Sequence, residues 1–171
     1  MNKKNYILYI LLFFIFNSLS VNAEDKITFL NLDSVLNSSI IGKLIIKDLD
    51  QIKKSNEINF QKRTEILINK ERDIISKKNI LSKEEFDSNL LNLQKEINKF
   101  NEARKKEIIE FEKIRKNKLD QFMKKIEPLI QEYVNKNSIS IVLNQQNLFI
   151  GNRKYDITLD IINIIDKNLK K

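Results

Sequence analysis

A mainly helical protein with a small β body is the fold class predicted, and three observations predict it. The 171 residues contain only two glycines and one proline. Charged residues make up 32% of the chain. From Lys43 to Asn137 there is no glycine, and apolar residues recur there at heptad spacing. Such a composition suits long helices and not a compact α/β unit with many turns.

Each part of the chain has its own signature. Residues 1–23 begin with Lys3 and Lys4, continue as an unbroken apolar run of eleven residues from Tyr6 to Phe16, and end in Val21-Asn22-Ala23. This is the three-part layout of a secretory signal, with small residues at the cleavage positions, so the mature chain is expected to begin at Glu24. An uncleaved anchor is the alternative, but the run is short of the roughly 20 residues a spanning helix needs. Removing Lys3 and Lys4 lowers the net charge from +8 to +6. Export to an envelope compartment disfavours nucleic acid as the partner of this basic chain, leaving acidic polypeptides and phosphorylated lipids. With no cysteine there is no disulfide, so cohesion must come from packing or from other subunits.

The central stretch, residues 43–137, reads as one long antiparallel helical hairpin. Its turn signal is Ser82-Lys83-Glu84-Glu85, a capping box flanked by Leu81 and Phe86 at the positions of a hydrophobic staple. The first helix is therefore expected to end near Asn79 to Leu81 and the second to start at Lys83, with the tip at 79–83. Phe60, Leu67, Ile74 and Leu81 repeat every seven residues on one helix, and Phe86, Leu93 and Phe100 on the other, with Leu90 and Ile97 interleaved. Facing positions in an antiparallel pair keep a constant sum, and Leu81 with Phe86, Ile74 with Leu93 and Leu67 with Phe100 all give 167. The same sum places Leu90 against Lys77, Ile97 against Lys70, Arg104 against Arg63 and Phe60 against Glu107. The seam is thin, partly covered by basic stems, and the arm is expected to be flexible and to project by roughly 58 Å.

The two ends, 24–42 and 138–171, form the body. Lys26 to Leu32 reads as a strand, with Asp33-Ser34 as the N-cap of a short helix. Ser138 to Leu143 reads as a second strand, and Gln145-Gln146-Asn147 as a turn into a third, Leu148 to Ile150, giving a three-stranded sheet. Asp156 is the expected cap of a terminal helix through Ile157, Ile161, Ile162 and Ile165. So small a body buries too little surface to be secure alone, which points to oligomerisation.

The opening Lys26-Ile-Thr-Phe-Leu-Asn-Leu-Asp-Ser34, and Ile141-Val-Leu-Asn144 followed by Asp156-Ile-Thr158, resemble the corresponding ends of the Skp/OmpH family of periplasmic chaperones. The resemblance spans essentially the whole mature chain. It implies a homotrimer shaped like a jellyfish, whose helical arms surround a cavity that holds unfolded outer-membrane proteins without ATP. Members of the family are described as binding lipopolysaccharide, but no residue of these low-complexity helices is assigned to that contact.

No enzyme is expected. Without histidine or cysteine there is no Ser-His or Cys-His pair and no imidazole or thiolate zinc site. There is no G-x-x-x-x-G-K-[ST] nucleotide loop, so no cofactor and no metal is expected. Glu110 and Glu112 lie on a helix with no evident pocket. The candidates for client contact are Phe60, Phe100, Phe111 and Phe122, at least half of which can equally be seam residues, together with the basic run Lys113, Arg115, Lys116, Lys118, Lys124 and Lys125. Against Asp120 alone, that run carries +5, a field that attracts acidic chains, although a solvated face enriched in lysine by genome composition reads the same way. Lys77, Lys78 and Lys83 at the tip are candidates for weak contact with anionic lipid, opposed by the neighbouring Glu84 and Glu85. The competing reading is a structural spacer or adaptor whose arms bind one folded envelope partner.

Overall fold

The computed structural model describes residues 25–169; the expected leader and the expected cleavage after Ala23 lie outside that range. The chain runs through strand β1 (Lys26–Leu30), helix α1 (Leu32–Ser38), helix α2 (Ile40–Ser76), helix α3 (Lys83–Lys136), strand β2 (Ile139–Asn144) and helix α4 (Thr158–Asn168), with short 3₁₀ turns at Gln145–Asn147 and Arg153–Tyr155. Among the described residues, no helix is long and apolar enough to cross a membrane.

Helices α2 and α3 form the arm. At 1.5 Å per residue, the 37 residues of α2 extend about 56 Å and the 54 of α3 about 81 Å. The capping box closes in full: the Ser82 hydroxyl accepts from the Glu85 amide, and the Glu85 carboxylate accepts from the Ser82 amide at 3.0 Å. The Ser82 hydroxyl also donates to that carboxylate at 2.8 Å, and this bond, with the one from the Ser82 amide, holds the Glu85 carboxyl below its ordinary pKa. The first helix stops earlier than the sequence suggests, at Ser76, because two antiparallel helices need a short non-helical crossover. Lys77 to Leu81 supply it, with the Lys77 carbonyl accepting from both Ile80 and Leu81. α3 continues through Pro128 as one helix, so the proline does not begin a new one.

The body contains one core, built from Leu30, Val35, Phe122, Ile126, Ile139, Ile157, Ile161, Ile162 and Ile165. Val35, Ile126, Ile161 and Ile165 have no exposed surface. Because α3 outlasts α2, its lower turns reach into this core, and the apolar spacing of Phe122 and Ile126 is what anchors the arm there. An elbow separates α1 from α2 at Ser39, whose hydroxyl accepts from the Gly42 amide. A side chain at position 42 would meet the Leu36 carbonyl oxygen at 1.9 Å, so glycine is what permits the two helices to turn so sharply.

The sheet differs from the expectation. It has two strands, not three, and β1 and β2 pair in parallel from Lys26↔Ile139 to Leu30↔Asn144, with an irregularity after Lys26. Parallel strands require a long crossover, and the whole arm serves as one. Leu148–Ile150 does not join the sheet: Gln145–Asn147 closes as a 3₁₀ turn and not as a hairpin, so the chain is not returned along β2, while the far side of β1 is met by the later backbone, the Phe29 carbonyl accepting from the Ile157 amide at 3.0 Å. Phe149 and Ile150 are left exposed. Two caps also shift. β1 ends at Leu30, and the cap of α1 is Asn31, which accepts from the Ser34 amide at 2.7 Å, in place of Asp33-Ser34. Asp156 accepts from the Thr158 amide, but from two residues upstream, and Ile157 occupies the cap position of α4.

Candidate functional site

The arm is the surface on which the sequence places its candidates, and its geometry begins with the seam. Leu93 and Phe100 are buried, whereas Leu67, Ile74, Leu81, Phe86 and Ile97 are half-buried. Midway along the arm the contacts depart from a strict sum of 167. Phe60 meets Phe100 edge to face, with ring centroids 6.3 Å apart. The Arg63 guanidinium lies 5.0 Å above the Phe100 ring, and Arg104 lies 5.6 Å above Phe60. The expected facing of Arg63 with Arg104 is thus replaced by an arrangement in which each cation covers an aromatic face and the two like charges are not paired. Arg63 also reaches Glu107 at 3.6 Å.

Ion pairs fasten the rest of the seam. Lys70 joins Glu96 across the helices at 2.5 Å, and Lys118 joins Asp48 near the base at 2.5 Å. Lys77 turns to Asp73 on its own helix at 2.6 Å instead of covering Leu90, which is left exposed. All of these pairs sit in contact with water, where each contributes about 0–1 kcal/mol.

The candidates therefore separate by accessibility. Phe100 and Phe122, at 8% and 3% exposure, are chiefly packing residues, the first of the seam and the second of the body core. Phe60 and Phe111 are half-buried. Of the basic run, Lys113 pairs with Glu110, Arg115 with Glu112 and Lys118 with Asp48, which leaves Lys116, Lys124 and Lys125 without an ion pair among the described residues. The structure brings Lys118, Phe122 and Lys125 together beside Ile40, Leu44 and Leu169, lining an open groove of about 670 Å³ at the arm base. Lys78 and Lys83 are exposed at the tip, next to Ile80, whose side chain is 80% exposed.

Sequence reasoning missed the apolar residues off the seam. Ile58, Ile66, Ile68 and Ile75 on α2, and Leu91, Ile108 and Ile109 on α3, are exposed. Leu91 and Ile109 lie eighteen residues apart, five full turns, and so share one face of α3. The signal that marks them is that they are apolar while falling outside the heptad positions.

A long two-helix arm standing on a small body that contains a parallel strand pair defines a class of extended proteins armed with a helical hairpin. Within it, the family profile described as outer membrane protein (OmpH-like) matches residues 26–165, and the chain belongs to that family. A solved structure described as a candidate OmpH-like outer membrane chaperone from Caulobacter crescentus is similar in fold, with a TM-score of 0.74 at 18% identity, covering 85% of this chain and 86% of that one. No curated protein matches the chain.

Proposed function

We propose that the protein is an ATP-independent periplasmic holdase, a non-enzymatic chaperone that binds unfolded outer-membrane proteins between its arms and keeps them from aggregating on the way to the outer membrane. The observation that carries this reading is the distribution of exposed apolar side chains, from Ile58 to Ile80 on one limb of the arm and from Leu90 to Ile109 on the other, interspersed with charges and not gathered into a pocket. Many small apolar contacts without one fixed geometry suit a client that has no fold of its own. Membership of the OmpH-like family, and the description of the similar Caulobacter crescentus structure as a chaperone, support the same conclusion.

The functional unit is a homotrimer. Ile27, Ile141 and Leu143 on the sheet, with Phe149 and Ile150 beside it, form an exposed apolar face of the body that a neighbouring subunit would cover. Phe60 and Phe111, with the unpaired Lys116, Lys124 and Lys125, add to client capture, and Lys78 and Lys83 permit weak contact with anionic lipid or lipopolysaccharide.

The test dilutes a urea-unfolded outer-membrane barrel into the mature protein without nucleotide. Near-stoichiometric suppression of light scattering is expected, with graded losses as Ile68, Leu91 and Ile109 are changed to Ser one after another. No suppression at several-fold excess would reject the holdase. Complete loss from a single change on one face, together with discrimination among clients, would favour an adaptor for one folded partner.

A further inference from the structure

The two limbs of the arm reach the body at different points, and α4 contacts both. At the root of α2, the Asp166 carboxylate accepts a hydrogen bond from the Ile40 amide at 2.7 Å. That amide belongs to the first turn of a helix, where backbone donors have no partner within the helix. At the root of α3, the Tyr133 hydroxyl donates to Asp160 at 2.6 Å. Asp160 and Asp166 are six residues apart, so they are separated by about 9 Å along α4 and point to different sides of it. Between them Ile161, Ile162 and Ile165 sink into the same core as Phe122 and Ile126 of α3, which seats α4 on the root of α3 and lets Asp166 tie the root of α2 to it.

The two limbs differ in how they are held otherwise. α3 enters the core as continuous helix, whereas α2 joins α1 through the non-helical backbone at Ser39. The joint is tight at the buried Ser39, and farther along α2 Asp48 pairs with Lys118 of α3; a contact from outside these helices adds a further restraint on its angle. Asp166, 126 positions away in sequence, is a restraint of that kind.

We infer that α4 is a bracket that sets the direction in which the arm leaves the body, Asp166 holding the root of α2 and Asp160 that of α3. Shortening or loosening the bracket widens the range of arm angles without unzipping the arm. This holds whether or not the arms grip a client.

The chain has no cysteine, so labels can be placed at will. Cysteines introduced at the tip, Asn79, and on the exposed body residue Ser140 carry spin labels in one protomer mixed with excess unlabelled protein, and pulsed dipolar spectroscopy reads their distance distribution. The unaltered bracket should give a narrow distribution. Asp166→Ala should at least double its width, and Asp166→Asn, which keeps an acceptor oxygen, should stay close to the original. Tyr133→Phe, which removes one oxygen and leaves the ring in place, should also broaden it, and this variant decides alone if Asp166→Ala does not fold. Unchanged widths in these variants would overturn the inference even if the melting temperature fell, since the contacts would then stabilise without directing. Equal broadening by Asn and Ala at position 166 would overturn the role assigned to the acceptor.

Discussion

Replacing Phe100 with alanine tests whether the arm and the body are held together by separate interactions. Phe100 is buried in the seam, meets Phe60 edge to face and lies under the Arg63 guanidinium. A buried Phe→Ala change costs about 3–5 kcal/mol. The aromatic pair accounts for about 0.5–1.5 kcal/mol of such a loss and the exposed cation–π contact for about 0.5–1. A two-helix seam is open on its sides and can partly collapse, so the low end, about 3 kcal/mol, is the expected figure. Because Leu93 is the other buried apolar residue of the seam above the base, little remains to hold the middle of the arm together. Local opening should therefore become easier by on the order of 100-fold. Hydrogen exchange on the assembled protein is the assay: amides around residues 56–64 and 96–104 should exchange faster by that factor, while those of β1 and α4 keep their original protection. Uniform acceleration through arm and body would refute the separation, and no acceleration would refute the packing role given to Phe100.

Gly42→Ala should lower stability by about 1–3 kcal/mol, despite alanine's better helix propensity, because its Cβ meets the Leu36 carbonyl at 1.9 Å; a thermal melt that rises would contradict the tight elbow. Ser138 follows α3 with φ 52°, in the left-handed region where glycine is at ease, so Ser138→Gly should raise stability by up to about 1 kcal/mol in urea titration. Pro128→Ala, on the exposed side of α3, restores a backbone donor inside the helix and should stabilise by about 1–3 kcal/mol; a destabilised variant would show that the ring serves packing. Since the Glu85 carboxyl is held low by Ser82, its contribution to the tip is complete above the ordinary carboxylate pKa of about 4.3 and is lost as the pH falls below it. Exchange at the tip should quicken over that acid range, and in Ser82→Ala, which loses the hydroxyl but keeps the backbone donor to Glu85, this pH dependence should shrink.

What the sequence disclosed was mostly local. The capping box at Ser82 and the heptads flanking it depend on neighbours three to seven residues away, and the structure shows the turn and the paired helices built on them. What it withheld was set by distant contacts. A third strand at Leu148–Ile150 is reasonable on β propensity, but Gln145–Asn147 winds into a 3₁₀ turn that does not return the chain along β2, and the free side of β1 is met instead by the Asp156–Ile157 backbone, an arrangement that no local pattern announces. The heptad sum matched Arg63 with Arg104, yet the side chains settled on aromatic faces instead, since rotamers are long enough to choose among partners. Phe122 illustrates the limit at the candidate site: a phenylalanine in a basic helix reads as a binding residue until the end of the chain folds over it.

The parallel pairing of β1 with β2 imposes an order of events on maturation. Thr28 finds Ile141 across 113 positions of sequence, so a chain delivered amino end first presents one half of the sheet long before the other exists. Contacts around Leu81 and Phe86, by contrast, close almost as soon as they are made, and each pair zipped below them shortens the gap that the strands must bridge. On loop-closure grounds alone, such a molecule is expected to close from its far extremity inward, with the small knob completed last.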